Sequence, residues 1–393
     1  MFSDLPRPPQ DAIFAMVAAY AADPRPDKID LGVGVYRDSA GLTPVMRAVK
    51  AAEAHNIANE ASKSYNRFIG DAGFIAAMQR LVLGETGAHL AGSQTVGGTG
   101  AIHSLLKMAR MAKPDLTVWM GDPTWANHLP LVQHLGLAHG MHPYYDRATG
   151  AVLFEEMRAG LAGAAKGDVV ILHACCHNPT GADLSPEQWS LLARDAERAG
   201  WVPLIDLAYH GLADGLDADL AGVRAMVSRL PEVMVAVSCS KSFGLYRDRA
   251  GAALVAAPSA DAAARVDGAL ATINRLTYSF APHPAAAIVT TVLSDDALRA
   301  DWMAELYAMR TRINRLRGQL AEALRRETNS ERFDFIAAQR GMFSLLGIAP
   351  EAVSRLRQVH GVYAIGDGRI NIAGLSEDRI GRVAAAIADV SRP

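Results

Sequence analysis

Short apolar runs rich in β-branched residues recur along this chain, separated by longer stretches of helical period, and that alternation restricts the folds open to it. Residues 116–120, 168–173, 201–206, 233–237 and 251–255 are such runs, with amphipathic segments such as 186–199 and 221–230 between them. A strand that is apolar on both faces needs cover on both sides, which a parallel sheet flanked by helices provides. The pattern therefore predicts βαβ units and a doubly wound α/β core with a mainly parallel sheet.

Beyond the last run the pattern changes. Residues 296–327 read as one long helix, followed by a smaller region with strands expected near 333–336 and 369–372. Pro6, Pro8 and Pro9 mark the first ten residues as an arm. The expected division is an arm at 1–10, a small domain built from 11–43 and 311–393, and a large domain at 44–310.

With 393 residues, half of them apolar, the chain has material for a sizeable core. Its 39 basic and 41 acidic residues give a net charge of -2 without long runs, which argues against a nucleic-acid surface and for small-molecule ligands. No stretch reaches the eighteen or so apolar residues of a membrane span. The N-terminal residues lack the apolar core of a signal peptide. Cys175, Cys176 and Cys239 are too few and too oddly placed for a disulfide framework. Together these features predict a cytoplasmic protein.

Lys241 follows the apolar run 233–237 and sits among Ser238, Ser240 and Ser242, with Arg249 eight positions later. The carboxyl edge of an open α/β sheet is where ligands bind. An amine there becomes nucleophilic when burial or a neighbouring cation removes its proton. Asp206 closes another apolar run and faces the same crevice. Gly97, Gly98 and Gly100 precede a helix-like segment, a weak sign of an anion site in which backbone N–H groups meet phosphate. His173, Cys175 and His177 invite a metal reading by strand alternation, but ligands two apart on one strand do not converge on a tetrahedral ion, so no metal is expected. Asn178-Pro179-Thr180-Gly181 reads as a turn that projects an amide into the crevice. Ser238-Cys239-Ser240-Lys241 also fits the S-x-x-K of serine acyl-transfer enzymes, whose companion motifs are missing.

Taken together, from Leu31-Gly32-Val33-Gly34 to Gly368-Arg369-Ile370-Asn371, these motifs resemble the aspartate and aromatic aminotransferases, class I of the fold-type-I pyridoxal-phosphate enzymes. Thr95 to Gly100, Cys175 to Gly181 and Asn274 to Phe280 look most like the alphaproteobacterial aromatic aminotransferases. The resemblance implies a large domain with a seven-stranded, mainly parallel sheet between helices, pyridoxal 5′-phosphate as cofactor, and a homodimer with shared active sites. Lys241 would carry the cofactor as a Schiff base and shuttle the proton. Asp206, supported by His128, would keep the pyridine nitrogen protonated. Asn178 and Tyr209 would bond the phenolic oxygen, while Trp125 and Ala208 flank the ring.

For the phosphate, the resemblance implies Gly98, Thr99, Ser238, Ser240 and Arg249, with Tyr65 supplied by a second subunit. Arg369 would grip the substrate α-carboxylate, with the Gly34 backbone closing over it. Arg275 of a second subunit would meet a distal carboxylate. Gly97 stands where some dicarboxylate-specific relatives have serine, and Phe280 where aspartate-preferring ones tend to have asparagine. A less polar pocket favours ring-bearing side chains by about 25 cal/mol per Å² buried. The expected activity is transfer of amino groups from aromatic and dicarboxylic L-amino acids to 2-oxoglutarate. A dedicated aspartate aminotransferase is the alternative. β-Elimination or decarboxylation on the same cofactor, and a ligand-sensing module fused to a DNA-binding domain, are weaker readings: Arg275 and Arg369 oppose the first, and the balanced charge opposes the second.

Overall fold

The structure, a computed structural model, describes residues 1–5 and 12–392. Of the expected arm, Phe2–Asp4 form an exposed 3-10 turn; Pro6, Pro8 and Pro9 lie outside the described residues, as does residue 11. No helix among the described residues is long and apolar enough to cross a membrane.

The strands in chain order are β1 (Ile29–Asp30), β2 (His89–Val96), β3 (Thr117–Asp122), β4 (Ala138–Pro143), β5 (Val169–His173), β6 (Val202–Leu207), β7 (Val233–Ser238), β8 (Ala250–Ala257), β9 (Phe343–Leu345), β10 (Val362–Tyr363) and β11 (Arg369–Asn371). Seven form one sheet in the order β2-β8-β7-β6-β5-β3-β4. Only β8 runs antiparallel to its neighbours, β2 and β7. The five central apolar runs predicted as strands are β3, β5, β6, β7 and β8. Their alternate residues feed two cores: Val170, Leu172, Ile205, Leu207, Val235 and Val237 pack on one side, Val169, Ile171, Leu204, Met234 and Ala236 on the other. Burial on both faces explains the unbroken apolar runs.

Register carries the site. His173 lies opposite Asp206, Asp206 opposite Ala236, and Ser238 opposite Gly251. The carboxyl ends of β5, β6 and β7 thus come level at one rim. The helix Gly97–Ala112 follows β2 directly, so the glycines form its first turn instead of a loop ahead of it.

The chain ends meet through two short sheets. β1 pairs in parallel with β10, and β11 pairs antiparallel with β9. The strand expected at 333–336 is instead a turn leading into the helix Phe335–Ala338. Phe333 and Ile336, three apart, are both buried, and the Ile336 N–H donates to the Phe333 carbonyl at 3.1 Å. Spacing of three buries this pair on one helical face, which alternation on a strand would separate. The helix expected at 296–327 runs from Asp296 to Thr328, capped by Asp295, and passes position 311 without a break. The segment expected at 221–230 starts earlier, as the helix Leu216–Arg229.

Candidate active site

A cavity of about 160 Å³ opens at the carboxyl rim, lined among others by Gly98, Thr99, Trp125, His173, Asn178, Asp206, Ala208, Tyr209, Ser238, Ser240, Lys241 and Arg249. Every residue expected to hold the cofactor within one subunit is therefore at one place. Strand ends deliver Asp206 and Ser238, the loop after β5 delivers Asn178, and the turn after β7 delivers Ser240 and Lys241.

One end of the cavity is built for an anion. The first turn of the helix Gly97–Ala112 presents N–H groups without intrahelical partners. Ser238 donates to Ser240 Oγ at 3.0 Å. Arg249 Nη1 donates to Ser240 Oγ at 3.3 Å and to the Tyr246 carbonyl at 2.8 Å. Glycine is required at 97: its φ is +66°, and a Cβ would lie 2.4 Å from Arg249 Nη2. At Gly98 a Cβ would lie 3.0 Å from Ser238 Cβ.

The opposite chemistry sits at Asp206, 7% exposed. Burial alone would raise its pKa, but the hydrogen bond from His128 and the charges of His128, His173 and Lys241 outweigh that and hold it below the usual value. His128 Nε2 donates to Asp206 Oδ2 at 3.1 Å, and Thr124 Oγ1 lies 2.7 Å from His128 Nδ1. These contacts fix the histidine's orientation. Ligand atoms of His128, His173 and Asp206 lie within 4.8 Å of one another, yet the first and last are already joined by a hydrogen bond. Strand alternation does not carry on to Cys175 and His177, because β5 ends at His173, although the His173 and His177 rings still pack 4.2 Å apart.

Between the two ends stands Lys241, its Nζ 4.9 Å from the Tyr209 ring centre. Burial brings its pKa down to about 8 against the pull of Asp206, and Arg249 and Arg369 lower it further. At neutral pH a usable fraction of the amine is therefore unprotonated. Burial pushes the Tyr209 phenol up.

Arg369 enters from β11. Its Nη1 donates to Asn178 Oδ1 at 3.2 Å and its Nη2 to the Gly32 carbonyl at 3.0 Å, while Nε is buried without a partner among the described residues. Its guanidinium lies 4.4 Å from the Phe343 ring centre, and the same ring stands 2.8 Å from where a Gly34 Cβ would be. Neither Gly34 nor Arg369 is on the cavity wall; Arg369 reaches it through its bond to Asn178, which is.

Tyr65, Arg275 and Phe280 do not line this cavity. Tyr65 is 85% exposed and stacks on Phe280 at 4.7 Å. Phe280 stacks on Phe68 at 4.9 Å, and Arg275 lies 4.8 Å over the Phe68 ring. Sequence reasoning gave no role to Gly32, Phe343, Asp183 or Thr124; the last two have the local signal of a carboxylate or hydroxyl within a few residues of a site residue.

An anion cradle, a reactive amine and a buried carboxylate on one cavity fit a phosphorylated aldehyde with a basic ring nitrogen. The partnerless Arg369 Nε adds capacity for a substrate carboxylate. The comparisons agree with this arrangement. The family model "Aminotransferase class I and II" matches residues 26–387. An aromatic-amino-acid aminotransferase of Paracoccus denitrificans is 51% identical over 99% of this chain and 100% of its own length. The aspartate aminotransferase of Escherichia coli is 39% identical, with 99% and 100% covered. Among solved structures, an aromatic-amino-acid aminotransferase from Burkholderia pseudomallei, covalently bound to pyridoxal phosphate, superposes with a TM-score of 0.97 at 40% identity, covering both chains in full.

Proposed function

The chain belongs to the class I and II aminotransferases, pyridoxal-phosphate-dependent transaminases of the α/β fold described above, and from that premise we propose how its residues divide the work and which substrates it takes. It moves amino groups from aromatic L-amino acids, and from aspartate, to 2-oxoglutarate, which leaves as glutamate. The observation that carries this reading is the meeting of the Lys241 amine, the Asp206 carboxylate and the Arg249 cradle on one cavity.

Arg249, Ser238, Ser240 and the amides of Gly98 and Thr99 hold the phosphate. Asp206, kept ionised by His128, holds a proton on the ring nitrogen. Bound there, pyridoxal phosphate supplies an electron sink that acidifies the bond at the substrate's α-carbon. Lys241 anchors the aldehyde and, once freed, moves the α-proton, a task suited to an amine with a pKa of about 8. Asn178 and Tyr209 bond the phenolic oxygen, and Trp125 and Ala208 keep water from the ring faces. Arg369 binds the α-carboxylate as a two-pronged pair. Residues 11–43 and 311–393 act as the smaller, mobile unit that brings Gly34 over it.

The chain works as a cytoplasmic homodimer. Tyr65, Phe280 and Arg275 line the other subunit's site, where Tyr65 reaches the phosphate and Arg275 a distal carboxylate. The 85% exposure of Tyr65 supports that reading. Stacked rings beside Arg275 favour aromatic donors while keeping dicarboxylates. A donor panel tests the preference: phenylalanine, tyrosine, tryptophan and aspartate, each with 2-oxoglutarate, followed by glutamate formation. Ring-bearing donors and aspartate all react. Turnover with aspartate alone would identify an aspartate aminotransferase instead.

A further inference from the structure

We propose that Asp183 is a positioning residue for amino-acid binding: its carboxylate clamps the backbone amides of Cys176 and His177 and thereby sets the Asn178 side chain against Arg369. This rests on the reading of Asn178 and Arg369 as ligand-holding residues. Asp183 Oδ2 accepts from the Cys176 N–H at 2.7 Å, and Oδ1 accepts from the His177 N–H at 2.8 Å. These two amides immediately precede Asn178, whose Oδ1 accepts from Arg369 Nη1. Cys176 has a φ of +52°, a conformation that disfavours any residue with a Cβ and persists only when its surroundings hold it. Consecutive amides turned toward one anion are a known way to hold such a bend.

Other contacts bear on the loop as well: the Gly181 N–H donates to the His177 carbonyl at 2.7 Å, Thr180 Oγ1 lies 2.9 Å from His177 Nδ1, and the His177 ring stacks on Tyr144 at 4.1 Å, while Asp183 holds the two amides that lead into Asn178. The Tyr144 hydroxyl donates to the Ala182 carbonyl at 2.7 Å, and the Arg340 N–H donates to the Gly181 carbonyl at 2.8 Å. Arg317, fully buried on the long helix, spends its guanidinium on the Ser344 hydroxyl and on backbone carbonyls that include Gly341 and Arg340. Among the described residues Asp183 forms no ion pair. The hydrogen bonds its carboxylate accepts come from the two amides.

Burial pushes the Asp183 carboxyl up to about 6, against the two amide bonds; Asp219 raises it further and Arg317 lowers it. The groups facing it are Arg317 from the long helix, Asp219 from the helix Leu216–Arg229, and Tyr144, Cys175, Cys176 and His177. His177 stays neutral, its pKa held well below the usual value by burial. When Asp183 takes up a proton it turns one acceptor into a donor facing an N–H. The clamp then loosens as pH falls through about 6.

The test is the dissociation constant of 3-phenylpropionate, an aromatic donor without its amine, measured on the cofactor-loaded enzyme in wild type, Asp183→Asn, Asn178→Ala and the double variant. Asp183→Asn weakens binding about tenfold, and the double variant binds no more weakly than Asn178→Ala alone, because the first acts through the second. Losses that multiply, or none in Asp183→Asn, overturn the proposal while leaving the assignment of Asn178 standing. Wild-type binding in Asn178→Ala overturns that assignment and the proposal with it. Should Asp183→Asn fail to fold, the pH titration decides: wild-type affinity falls between pH 7 and 5, and the fall disappears in Asn178→Ala. A fall that persists in Asn178→Ala overturns the clamp.

Discussion

Lys241 and Asp206 divide the chemistry between two groups whose pKa values are both lowered, by different causes. The amine is brought down to about 8 chiefly by burial, and the carboxyl is held low by His128 despite its burial. Removing the amine, Lys241→Ala, takes away anchor and proton shuttle together, and turnover falls by at least about four orders of magnitude, as read by stopped assays of glutamate formation. Asp206→Asn keeps the shape but loses the charge that holds the ring proton; kcat drops by about a thousandfold or more while binding of 3-phenylpropionate changes little. The amine's pKa also sets a pH dependence. Because the neutral form attacks the aldehyde, cofactor uptake by the cofactor-free enzyme accelerates as pH rises and levels off above about 8. A rate that stays flat from pH 6 to 9 would contradict that assignment.

At the scale of elements, the anion end depends on how β2 enters the helix Gly97–Ala112. The Thr95 hydroxyl donates to the Gly97 carbonyl at 3.0 Å, and the Gly97 N–H donates to the Arg249 carbonyl at 3.1 Å. Gly97→Ala forces a left-handed backbone on alanine and crowds the guanidinium, so cofactor affinity falls at least about tenfold and stability by about 1–3 kcal/mol. Titration of the cofactor and thermal melts read both. Legibility in the sequence followed the same physics. β5, β6 and β7 are buried on both faces and announce themselves as unbroken apolar runs. β2, with Gly92, Ser93 and Gln94 at its centre, and the exposed edge strand β4, with His139 and His142, carry no such signal. Phe333 and Ile336 misled because an apolar pair in a short segment suits a strand or a helical turn equally, and only Asp334 between them hints at the turn. Within the site, Lys241 and Asp206 at strand ends suit a surface loop or a cap when taken singly, and only their combination with the other motifs pointed to a site. Asp183 was not legible, since its role depends on the path the chain takes back toward Cys176.

For the whole molecule, the sheets joining β1 to β10 and β9 to β11 unite the two chain ends, with Arg369 on β11, Gly32 and Gly34 just past β1, and Lys241 just past β7 of the seven-stranded sheet. The proposed sharing of each site between two copies makes a further prediction. Heterodimers of Lys241→Ala with Arg275→Asp contain one site in which both residues are native. Refolding the two inactive parents together therefore restores aspartate turnover to about a quarter of the wild-type value, half the dimers being mixed and one site in two intact. No recovery would mean that one copy supplies both Arg275 and Lys241 to its own site. The account as a whole depends on the amine at position 241 carrying the cofactor. Borohydride reduction of the loaded enzyme followed by peptide mass mapping tests this most directly. One pyridoxyl phosphate per subunit, attached at Lys241, is the predicted result, and an unlabelled Lys241 peptide in catalytically active, reduced protein would contradict it.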